Sequence, residues 1–145
     1  MVFHIDVKKI EQLLQYIEAQ LPILDHLSDA NESSLAGEPV LRLAAERVVH
    51  LLAEAITDVC ALVIDGLMLR DPGSYRDMVD ILAQEGAFPS EYGERLGELV
   101  AFRGHLVRHY LDVTDQEREQ ALHLAGQIAP SFPSYIRAFL EEELI

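Results

Sequence analysis

The sequence predicts an all-α protein, an antiparallel four- to five-helix bundle with short helices attached. Three observations carry this. Half of the 145 residues are hydrophobic, enough for one core, and the length suits a single domain over residues 1–145. Aromatic residues make up 7% and tryptophan is absent, so Leu, Ile, Val and Ala must build the core, a composition that favours helices. Apolar residues also recur at helical spacing, and no stretch shows strand alternation, an internal repeat or low complexity.

Asp6 is a plausible N-cap, and Ile10, Leu13, Leu14, Ile17, Leu21 and Leu24 follow the helical period, predicting a first helix over Val7–Leu27. Pro22 is expected to kink it or remove one hydrogen bond. Ser28 to Gly37 is polar and turn-forming and is expected to be a mobile loop. A long helix over Glu38–Ile64 follows, with a wide apolar face and a polar stripe of Glu46, His50, Glu54 and Asp58 at steps of four. Asp71-Pro72-Gly73 is a turn, Ser74 caps a short helix ending near Glu85, and Gly86 stops it. A fourth helix, a long one, is expected from about Pro89 to Leu111. Thr114 with Glu117 resembles a capping box for a helix over Asp115–Ile128. Pro130 and Pro133 interrupt the pattern before a last helix carrying Tyr135, Ile136, Phe139 and Leu140.

The formal net charge of −14 argues against a general polyanion binder. It leaves room for a local basic cleft, because salt limits the reach of distant carboxylates to about 8–10 Å. The single cysteine, Cys60, lies in an apolar run and is expected to be a buried, inert thiol. The apolar runs are too short to span a bilayer, and MVFHIDVKK is charged where a signal peptide needs an apolar stretch. A soluble, cytoplasmic protein without membrane partners is therefore expected.

The unusual stretch is FRGHLVRHY, Phe102 to Tyr110, with two arginines, two histidines and a tyrosine. Metal-free RNA cleavage needs a cation to hold the scissile phosphate and a base near neutral pH to take the 2′-hydroxyl proton. Arg103 and Arg108 have the fork geometry for the first role, and His105 and His109 have the proton affinity for the second. The same residues also suit a solvated helix face. His105 and His109, four apart, can alternatively bind one metal ion, with His50, Glu54 or Asp58 as a third ligand. Glu54 and Asp58 are either solvated or hold an arginine across the helix pair. His4, His26 and His123 are scattered and suggest no site.

Three features together resemble the HepT-like branch of the HEPN domains. They are the long helix with Glu54 and Asp58 at the place of a family Glu-x-x-x-Asp pair, the tract VIDGLMLRDPGSYRDMVDIL from Val63 to Leu82, and FRGHLVRHY itself. In wording the tract is closest to a Bacillus-type subgroup. The family signature is Arg, four to six residues, His, any residue, Tyr, usually written Arg-Asn-x-Leu-Val-His-x-Tyr. Arg103, Leu106, Val107 and Tyr110 match it, whereas Gly104 replaces the Asn and Arg108 stands in the His position. His109 lies directly beside Tyr110, with no residue between.

The resemblance implies a helical homodimer whose two signatures face one another across a cleft. It implies an endoribonuclease of the toxin–antitoxin type that works without metal or cofactor, paired with a nucleotidyltransferase antitoxin able to modify Tyr110. Carried over, Arg103 binds phosphate, Tyr110 lines the site, His109 stands in as base, and Arg108 adds phosphate affinity but cannot be the base. The expected function is a HepT-like protein with weak, altered or lost RNA cleavage. The alternative is a non-enzymatic dimeric module that binds a protein or small anionic ligand in its inter-subunit cleft. The wide apolar face of the long helix is a further reason to expect a dimer.

Overall fold

The computed structural model describes residues 4–144 and is all-helical among them. The helices are α1 (Val7–Leu27), α2 (Glu32–Leu35), α3 (Pro39–Gly66), α4 (Tyr75–Gln84), α5 (Ser90–Arg108), α6 (Asp115–Ile128) and α7 (Phe132–Glu143). A 3-10 turn, Ala129–Ser131, joins the last two. Asp6 caps α1 by accepting from the Lys9 N–H at 3.0 Å. Helix α1 runs on through Pro22, which can give no N–H to the turn before it.

The segment after α1 is more ordered than its composition suggests. Asn31 and Ser34 form a reciprocal capping box around the single turn α2, and Leu35 is wholly buried. Leu35, the one large apolar side chain in these ten residues, anchors a mostly polar stretch, and periodicity has nothing to measure in so short an element.

Helix α3 is the axis of the molecule and packs against α1, α4, α5 and α6. Its buried residues run from Ala45 to Gly66. The apolar width seen in the sequence is thus used within the chain. Only its first turns leave large apolar side chains in solvent, Val40 at 81% and Leu43 at 66% exposure. The polar stripe contributes Glu46 to an ionic seam. Arg42 donates Nε–H and Nη2–H to Asp115 at 2.9 and 2.6 Å, and Arg118 reaches Asp115 and Glu46 at 2.7 and 2.8 Å. These bonds place the start of α6 beside the start of α3.

Helix α4 begins at a rigid corner. Ser74 accepts from the Asp77 N–H, Arg70 forms a two-point pair with Asp77, and Asp77 also accepts from the Gly73 N–H at 2.8 Å. Gly86 ends it at φ +87°, a conformation that favours glycine. Helix α5 stops at Arg108, three residues earlier than predicted. His109 leaves helical geometry at φ −126°, ψ 37°, and its carbonyl accepts from the Asp112 N–H instead. The chain must turn there to reach Thr114, whose capping box with Glu117 starts α6 as predicted.

Candidate functional site

Arg103 lies on the side of α5 that faces α3 and α4. Its Nε–H donates to Glu54 Oε1, and its guanidinium carbon stands 4.2 Å above the centre of the Tyr75 ring. Glu54 therefore does what the sequence suggested for one of the two carboxylates. The Arg103 side chain is 18% exposed. Its Nη groups have no acceptor among the described residues, yet they are not among the buried unpaired atoms. The outer edge of the fork is thus open to solvent, with its plane held from two directions. A fork of this kind is suited to the two oxygens of a phosphate.

Asp58 does not share the task. It is exposed and makes no hydrogen bond or ion pair among the described residues; it borders a shallow recess with Lys9, Leu13, Ala61 and Leu62. Although the residue is exposed, the loss of some water around its carboxyl at the edge of this recess, with the charge of Glu54 one turn away, pushes that group up from the ordinary range. His50 Nε2 approaches the same Glu54 oxygen at 3.5 Å, so three polar side chains meet at this point of α3.

His105 occupies the other side of α5. Two residues on a helix differ by about 200° in direction, so His105 faces α6 while Arg103 faces α3. Its Nε2 lies 3.0 Å from Glu117 Oε2, too poorly aligned for a hydrogen bond, and is otherwise buried. Glu117 is held below the usual carboxylate range, first by the Thr114 N–H and also by His105. The His109 ring sits 5.6 Å from that of His105. Although the helix has ended, His109 therefore follows the His105 side. Within one chain the structure does not bring it to Arg103.

The metal alternative gains no third ligand. His50 and Glu54 belong to the α3 side, and among the described residues no three His, Cys, Asp or Glu side chains converge on one point.

Arg108 folds back along α5 over Gly104. A Cβ added to Gly104 would stand 2.5 Å from Arg108 Nη2. The guanidinium fills the space that a side chain at 104 would take. Arg108, His109 and Tyr110 are all exposed, Tyr110 at 66% and on a turn. Cys60 is fully buried, and burial pushes its thiol up to about 12, which leaves it inert.

Tyr75 was not singled out by sequence reasoning. It is the first residue of α4, 28 positions before Arg103, and nothing in local spacing links the two. The ionic seam of Arg42, Glu46, Asp115 and Arg118 was missed for the same reason.

The helical bundle places the chain in a class of protein. Residues 5–129 match the family described as Ribonuclease HepT-like, and the chain belongs to this family. The Bacillus subtilis (strain 168) protein named "Putative RNase YutE" is 38% identical over 143 residues, covering 99% of this chain and 95% of that protein. The solved structure of YutE, described as a cytosolic protein, aligns with a TM-score of 0.85 at 35% identity, over 99% of this chain and 96% of that one. A mutant form of the toxin–antitoxin MntA-HpeT aligns with a TM-score of 0.78 at 18% identity, covering 89% of this chain and 98% of that one. A toxin–antitoxin structure with AMP-PNP aligns equally well over 89% and 97%. At that identity the last two share the fold. No helix among the described residues is long and apolar enough to cross a membrane.

Proposed function

We propose that this chain is a cytoplasmic, homodimeric HepT-like protein of the toxin–antitoxin type that grips RNA by a phosphate on Arg103 and cleaves it weakly or not at all. The observation that carries the reading is the Arg103 fork, pinned by Glu54 and Tyr75 with its outer edge free. Family membership and the relatives' names supply the substrate class.

Cleavage without metal requires a base to take the 2′-hydroxyl proton as that oxygen attacks phosphorus and the 5′-oxygen leaves. Arg108 stays charged at neutral pH and cannot serve. His109 has suitable chemistry but sits on the His105 side of α5 in its own chain, away from the phosphate on Arg103. This favours altered or lost cleavage. The same placement of His109, away from Arg103, favours a second reading, a non-enzymatic dimer that takes a protein or small anionic ligand.

The dimer reading rests on one end of the bundle. Leu43 and Leu106 line a common shallow groove with Arg47 and His50. Val40, Leu43, Val107 and Leu111 all expose large apolar surface at this end, Leu111 at 84%. Tyr110 and Arg108 emerge there too. Pairing through this surface would bring two copies of the signature together. Tyr110, exposed on its turn, is then the acceptor we assign to a nucleotidyltransferase-type antitoxin.

The test is cleavage of single-stranded RNA in excess chelator. Wild type should cleave slowly or not at all, and Arg108→His should raise cleavage at least tenfold, with Arg103→Ala abolishing the gain. A folded Arg108→His dimer without any gain would favour the non-enzymatic reading. Strong wild-type cleavage unaffected by His109→Ala would show that the base lies elsewhere.

A further inference from the structure

We propose that Tyr75 is a positioning residue for Arg103, holding the guanidinium plane so that its free edge meets the RNA phosphate. The inference rests on the phosphate role proposed above and adds a residue that the family signature does not contain. Arginine has many rotamers, and one hydrogen bond to Glu54 fixes only Nε and leaves the plane free to swing about it. A ring 4.2 Å from the guanidinium carbon removes that freedom, because the cation is attracted to the ring face. Two constraints in different directions define an orientation, and neither uses the Nη edge.

The ring itself is well anchored. Tyr75 opens α4 directly after its Ser74 cap. The corner before it is locked by Arg70 and Gly73, both bonded to Asp77 at 2.7–2.9 Å. Tyr75 is 45% exposed, so core packing does not account for its place. Its phenolic oxygen makes no hydrogen bond among the described residues, which leaves the ring face as its principal contribution. The turn between α3 and α4 thus becomes part of the site, although it lies far from FRGHLVRHY in sequence.

Two readouts test this on the full-length protein. The first needs no RNA. The ring current of Tyr75 should shift the Arg103 Nε–Hε resonance upfield in the native protein. Tyr75→Leu should return it toward the ordinary arginine position and Tyr75→Phe should keep it shifted. The second is binding of a fluorescent single-stranded RNA across a salt series. Tyr75→Leu should weaken binding about three- to tenfold, the range a cation–π contact supplies, with Tyr75→Phe close to wild type. Arg103→Ala should lower the salt slope by about 0.7, the loss of one phosphate contact on a single strand. Tyr75→Leu should move the slope in the same direction. The proposal is overturned if the resonance does not move in Tyr75→Leu. It is equally overturned if Tyr75→Leu binds RNA like wild type while Arg103→Ala binds weakly. If Arg103→Ala itself binds normally, the phosphate reading fails and this inference falls with it.

Discussion

At the scale of single residues, the departure from the family signature involves two positions acting together. Gly104 leaves a gap and Arg108 fills it, its Nη2 standing where a Cβ would press. That atom is the far end of a flexible chain, so it can move aside at little cost. Gly104→Ala should therefore raise folding stability by about 0.5–1 kcal/mol, the helix-interior penalty of glycine. Urea denaturation reads this, and a loss of stability would mean that Arg108 is more firmly held than its exposure implies. Glu54→Gln removes the charge that pins Arg103. The pair is partly buried, so the cost should be about 1 kcal/mol. A double-mutant cycle with Arg103→Met measures the coupling, and additive effects would argue against a working pair.

At the scale of elements, helices were legible wherever a run of apolar positions was long enough to show its period. The end of α5 was not, because Leu106 and Val107 continue the pattern while the backbone already prepares to turn. What ends the helix is a non-local demand: α6 must start at Thr114, beside Arg42 and Glu46 of α3. Leu35 was hidden likewise, since α2 is one turn long. Arg118 joins the two sides of that junction at 12% side-chain exposure. Arg118→Ala would leave Glu46 without its partner and Asp115 with one fewer, and should cost about 1–3 kcal/mol. A change within a few tenths would mean that the seam is solvated and adds little. At the end of α3, Met68 holds φ +57°. Met68→Gly should gain up to about 1 kcal/mol by relieving the left-handed conformation.

At the scale of the whole molecule, the acidic balance sets the response to pH. Arg137 beside Glu11 and Glu18 holds both carboxyls below their usual range. Asp115 is lowered chiefly by Arg42, Glu117 by the Thr114 cap, and Asp77, beside Arg70, titrates at about 2. The unfolded chain takes up these protons at higher pH than the folded one. Their contribution is therefore present above the ordinary carboxylate range and lost as pH falls toward about 2, with raised Asp58 alone acting in the opposite sense. Urea midpoints at pH 7, 5 and 3 should fall toward acid, and a flat series would contradict the ion pairs. The site was legible in part at this scale. The pairing of Arg103 with Glu54 was one of the two readings open to that carboxylate, and the structure contains it. Tyr75 was not found, because its place over Arg103 depends on how separate helices meet, whereas the facing of His109 away from Arg103 follows from its one-position offset along the chain.

The most direct measurement of the central claim mixes chelated wild-type protein with a labelled single-stranded RNA and reads bound and intact RNA together, beside Arg103→Ala. The account predicts that wild type binds while most RNA stays intact, and that Arg103→Ala loses binding. Equal binding by both proteins, or no binding by wild type, would contradict it.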